Sequence, residues 1–206
     1  MTSTRLRRGF GQLLIALAVA MTTAPRTAAQ ADWLPPSMTE RLTAQLVERF
    51  ETIHGKRAAD RDGLTNATRT RVERLRAVVN AWRVDAIVDR APKPAGITLP
   101  STGNVHLDAM RRYQLCSAVQ MQEYESGQVI DVRQRAAGAL TGLTVLQARL
   151  IDPFLRAGGT EAQVEAALTG HPMRDALMRM LAEPALLNHV QTTCAPTVTE
   201  LLGMMG

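Results

Sequence analysis

Two cysteines and four histidines are the residues of this 206-residue chain best suited to redox or metal chemistry: Cys116 and Cys194, with His54, His106, His171 and His189. Redox pairs of the thioredoxin kind sit two residues apart, and these cysteines are 78 apart. Two distant cysteines in an oxidising compartment predict a structural disulfide. A loop of that length stabilises the fold by roughly 4 kcal/mol through its effect on the unfolded chain. A thiolate metal site needs His or further Cys at fixed spacing, and none is close. The histidines have no second His or acid at ligand spacing, so surface or capping roles are expected, with no metal and no cofactor. Methionines concentrate late, at Met173, Met178, Met180, Met204 and Met205. Thioethers bind Cu(I), which makes periplasmic copper handling an alternative reading. Met178 and Met180 are two apart and do not share a helix face, so adaptable core packing explains them more simply.

Among the acids, Gln122-Glu123-Tyr124-Glu125-Ser126-Gly127 stands at the expected end of a helix. Glu125-Ser126 resembles the catalytic Glu-Ser of lytic transglycosylases, all-α enzymes that act on peptidoglycan with one Glu as general acid. The resemblance implies Glu125 as the general acid of an envelope hydrolase or lyase, kept protonated by an apolar pocket. Asp131 is the candidate second carboxylate. The match covers two residues, and the Gly-Leu-Met-Gln motif that follows in that family is absent. There is no His-Glu-x-x-His, no Gly-x-Ser-x-Gly, no phosphate-cradling glycine loop and no haem attachment motif. The sequence therefore predicts a non-enzymatic binding protein. Its expected partner is another envelope protein or a small ligand held in a groove between helices.

The compartment is read from the first 31 residues. Arg5, Arg7 and Arg8 precede the apolar run Leu13–Met21, and Ala29-Gln30-Ala31 supplies a small-x-small cleavage pattern before Asp32. The run is shorter than the roughly 20 residues a bilayer span needs. Residues 1–31 are thus expected to be a signal peptide cleaved between Ala31 and Asp32. The mature chain is expected in the periplasm or outside the cell, without a transmembrane span. Arg7-Arg8-Gly9-Phe10 resembles the core of a twin-arginine signal, with Leu6, Gly11 and Gln12 departing from its pattern; a general secretory signal is the other route. No Cys lies near the cleavage site to take a lipid anchor.

Removing this segment also removes most of the excess charge. The chain has 24 basic and 19 acidic residues, and four of the arginines lie in the signal, leaving 20 against 19. A nucleic-acid partner needs a concentrated positive footprint, and none is expected here. Arg69, Arg71, Arg74 and Arg76, with Glu73 among them, read as a solvated helix face. Aromatic platforms are few, which argues against single-strand or sugar binding.

These residues are expected to ride on helices alone. Leu42, Leu46, Phe50 and Ile53 recur at helical spacing, behind a Ser37–Glu40 pattern of capping-box type. A second helix is expected over 66–89, with Val72, Leu75, Val79 and Trp82 inward. Three prolines and two glycines make 91–105 a loop or linker. Helices over 107–125 and 129–157 follow, then a short one capped at Thr160-Glu161-Ala162-Gln163. Pro172 and Pro184 open two more. Pro153 and Pro196 are expected to kink or interrupt their helices. The fold class predicted is all-α: one domain over 32–206, an irregular bundle of about five to seven helices. It comprises a helical hairpin over 37–90, the 91–105 loop, and a bundle over 106–206 closed by Cys116–Cys194.

Overall fold

The structure is a computed structural model that describes residues 36–206. The expected signal segment, its Ala31–Asp32 cleavage point and the lead-in to residue 35 lie outside the described residues. Among the described residues there are eight helices and no strand. They are α1 (Pro36–His54), α2 (Arg61–Ala81), α3 (Val84–Asp89), α4 (Val105–Ser126), α5 (Ile130–Arg156), α6 (Glu161–Thr169), α7 (His171–Ala182) and α8 (Pro184–Met205). The all-α class stands. None of these helices is long and apolar enough to cross a membrane.

Helix α4 lies at the centre. Thirteen of its 22 residues are buried, from Leu107 to Met121, so it has no broad solvent face. A helix buried all round must be covered from several directions. Its main cover is α5, with α3, α6, α7 and α8 closing other sides. One apolar cluster runs through Leu42, Val72, Ile87, Tyr113, Leu146, Val164, Leu177 and Val190, drawing on all eight helices. Leu46, Ile53 and Ala137 form a small second cluster, with Phe50 and Tyr124 against it, that seats α1 on α5.

Helix α8 approaches α5 closely because α5 carries glycine where they meet. A Cβ on Gly142 would stand 2.9 Å from the Leu201 Cβ, and one on Gly138 would stand 3.0 Å from Leu202 Cδ2. The cysteines then bridge α8 to the central helix. Cys116 and Cys194 sit at disulfide distance, 1.96 Å between sulfurs, both wholly buried.

Four local details stand against the sequence expectation. The second helix stops at Ala81 and resumes as α3, because Trp82 and Arg83 are extended (ψ 139° and 137°). No Pro or Gly marks this break. Tertiary packing imposes it: Ile87 is fully buried, and its carbonyl accepts the Tyr113 hydroxyl at 2.8 Å. Pro196 does not interrupt α8, which continues through it with Pro196 on its exposed side. Pro153 likewise lies inside α5, a single turn from its end. At the first helix, Ser37 falls inside rather than at the cap, because α1 already begins at Pro36. The Thr160–Gln163 capping box is formed as expected.

The 91–105 segment lies on the bundle. Ile97 and Leu99 pack against the main cluster, and the Ala95 amide donates to His189 Nε2 at 3.0 Å. Reduction of Cys116–Cys194, or the double change C116A/C194A, is expected to lower stability by up to roughly 4 kcal/mol. Urea unfolding with and without reductant measures it; an unchanged midpoint would contradict a stabilising role for the bond.

Candidate functional site

Glu125 occupies the last turn of α4 and is exposed. Partial burial of its carboxyl raises its pKa, the direction a general acid needs. It lines neither of the two hollows described below. Asp131 is exposed in the first turn of α5. The late methionines have different surroundings: Met173 and Met180 are fully buried, while Met178 is 55% exposed. Among the described residues no group of three or more His, Cys, Asp or Glu is placed to hold a metal. Three of the histidines serve separate local contacts: His54 with Gln134 at 2.9 Å, His171 with Asp175 at 2.7 Å, and His189 with the Ala95 amide, while His106 has its Nδ1 buried without a hydrogen-bond partner. The arginine run of α2 is dispersed. Arg69 pairs with Glu40 at 3.1 Å, Arg74 reaches the Gly206 carbonyl, Arg76 bonds Thr39, and Arg71 turns to a groove.

That groove, of about 690 Å³, opens where α1, α2, α5 and the end of α8 meet. Its floor is apolar: Leu46 and Phe50 of α1, Leu64 of α2, Gly138 of α5, and Leu202 and Met205 of α8. Gly138 matters here, because a side chain on it would press against Leu202 and Met205. The rim is cationic, with Lys56 and Arg57 from the α1–α2 turn, Arg71 from α2 and Arg135 from α5, all exposed. Gly55, at φ +66°, takes the left-handed conformation that ends α1 and swings Lys56 and Arg57 round. Glu51 is the one acidic side chain among the lining residues, and it is engaged. It accepts the Ala58 amide at 3.2 Å and faces Arg61 at 3.4 Å. The groove therefore presents apolar surface beneath an excess of positive side chains.

A second hollow, of about 370 Å³, lies between the 91–105 loop and the start of α4. Asp108 fastens the loop there. It accepts the Ser101 hydroxyl at 2.7 Å, the Thr102 amide at 2.8 Å and the Thr102 hydroxyl at 2.9 Å. Burial by itself would raise the Asp108 pKa. The Ser101 and Thr102 hydrogen bonds, with Arg111 nearby, outweigh it and hold the carboxyl below its ordinary value. Asn104 caps α4 beside it, accepting from the His106 and Leu107 amides.

No family model, no curated protein and no solved structure matches the chain. The function is therefore read from geometry.

Sequence reasoning missed both the groove and the role of Arg111. The groove's cations come from three separate segments, so no linear pattern announces them. Arg111 did carry a signal: Leu107 and Leu115 stand four residues either side, on its own helix face. An arginine between two inward leucines is itself inward.

Because the folded Asp108 pKa is depressed, its contribution is complete above the ordinary aspartate value of about 3.9 and is lost as pH falls through the folded value. Asp108→Asn is expected to cost about 1–2 kcal/mol at pH 7. Urea unfolding at descending pH should show the gap to wild type closing below about pH 4; a gap that stays constant into strong acid would contradict this.

Proposed function

We propose that this is an exported, non-enzymatic binding protein of the periplasm, whose α1–α2–α5–α8 groove holds one anionic amphiphile. The ligand class is a single acyl chain with a carboxylate head. The carrying observation is the arrangement of Lys56, Arg57, Arg71 and Arg135 above the Leu46, Phe50, Leu202 and Met205 floor. An acyl chain gains free energy by leaving water for such a floor. Its head then meets four cationic side chains against a single acidic side chain, Glu51, which is already engaged by the Ala58 amide and Arg61. The volume falls within the range usual for small-molecule sites, roughly 300–1,000 Å³.

The reading as a peptidoglycan-acting enzyme is less well supported, because Glu125 has neither hollow around it in which to hold a glycan. The copper reading is less well supported too, since Met173 and Met180 are spent in the core while Met178 faces solvent. The proposed localisation rests on the amino-terminal sequence pattern, and a buried cysteine pair at disulfide distance suits an oxidising compartment.

Calorimetric titration with laurate tests the reading, with dodecyltrimethylammonium as a cationic counterpart of equal chain length. Laurate is expected to bind saturably at one per chain. The double change R71Q/R135Q should weaken it roughly threefold to thirtyfold without altering the melting temperature by much. Equal binding of both amphiphiles, or laurate binding indifferent to R71Q/R135Q, would overturn the reading.

A further inference from the structure

The hollow beneath the 91–105 loop contains an electrostatic problem that the protein's own side chains leave unsolved. Arg111 is only 4% exposed, on a helix with no broad solvent face. Burying a guanidinium is costly unless its charge and its donors are met. One terminal nitrogen donates to the Pro100 carbonyl at 2.5 Å, but its Nε has no hydrogen-bond partner. The nearest carboxylate, Asp108, stands 4.0 Å from that terminal nitrogen, and its oxygens already accept three bonds from Ser101 and Thr102. Two more cations, Lys93 and Arg112, line the same hollow. Three positive side chains thus meet one occupied carboxylate in a partly desolvated space of about 370 Å³. Desolvation depresses the Arg111 pKa, with Asp108 offsetting only part of it.

The remaining lining indicates what kind of anion suits the space. Pro94, Ile97, Leu99 and Leu115 give it an apolar side, and Thr98 and Ser101 add short polar side chains. A bare inorganic ion would leave that apolar side to water. A planar carboxylate matches the donor fork of a guanidinium, and a short aliphatic body covers the apolar wall. We propose that this hollow is a second ligand site, which takes a small organic carboxylate between Arg111, Arg112 and Lys93. It is independent of the groove: its cations belong to the loop and α4, not to α1, α2 or α5. Because much of its lining is loop, occupancy also fastens the 91–105 segment to α4.

Calorimetric titration of the purified protein with butyrate, and separately with inorganic phosphate, tests the proposal. Butyrate is expected to bind saturably at one per chain. Arg111 is buried and its replacement risks the fold, so the test uses K93Q and R112Q. Each should weaken butyrate binding about tenfold, the worth of one charge-assisted hydrogen bond. Far-ultraviolet dichroism and melting temperature confirm that both variants stay folded. Laurate binding to the groove should be unchanged in K93Q, which separates this site's failure from that of the groove. No butyrate binding, binding indifferent to K93Q and R112Q, or phosphate binding in preference to butyrate would each overturn it.

Discussion

Helix α4 is buried on nearly every side, and the rest of the fold follows from that constraint. A free helix of this composition, with Arg111, Gln114, Ser117 and Gln120 among its buried residues, would not seek the interior by hydrophobicity alone. It is held there because α5 supplies a long matching surface and α8 is tied to it through Cys116–Cys194. Each polar residue inside then needs a partner, since an unpaired buried group costs about as much as several good apolar contacts gain. Ser117 bonds back to the Tyr113 carbonyl, and Gln114 accepts from Gln147 of α5 at 2.9 Å. Tyr113 reaches out to α3. The interior polar residues thus tie the neighbouring elements into place as well as burdening the core.

One candidate site arises among the covering helices themselves, and the other where the cover of α4 is incomplete. At one end, α1 meets α5 through a small separate cluster around Leu46, Ile53 and Ala137, and the groove opens beside that seam. At the other, the non-helical 91–105 segment substitutes for a helix. Loop backbone covers α4 less completely, leaving a hollow and Arg111 without a partner for its Nε. The same architecture thus gives one wide apolar groove with charge at its edge and one small charged pocket with apolar walls. Their shapes differ, although both are lined by more cationic than acidic side chains.

How much of this is legible in the chain depends on whether local or distant residues decide the matter. The helices α4 and α5 are legible because α5 carries a clear apolar periodicity and Gly127 separates the two. The Thr160–Gln163 box is legible because capping is a short-range interaction between residues three apart. The pairing of Cys116 with Cys194 follows from their being the only two cysteines. By contrast, the break at Trp82–Arg83 depends on Ile87 reaching α4, which no local residue signals. Pro196 reads in sequence as an interruption or a kink, and α8 runs without interruption through it, because the packing of Val190, Cys194, Val198 and Leu201 on either side holds one helix. The groove is not legible at all: its floor and rim meet only after α1, α2, α5 and α8 have packed. Glu125 draws attention by its neighbours in sequence, and its place on an exposed helix end gives it no pocket.

Helix α4 is the most deeply protected element, and the other helices are its cover. Native-state hydrogen exchange, followed residue by residue in the oxidised protein, tests this directly. The slowest-exchanging amides are expected between Met110 and Met121 of α4 and across the facing stretch of α5 from Leu140 to Ile151, where side chains are buried almost without interruption. The short helices α6 and α7 should exchange faster. If the α4 amides exchanged as quickly as those of α6 and α7, the helix would open as easily as its cover, and α4 would not be the element on which the fold depends.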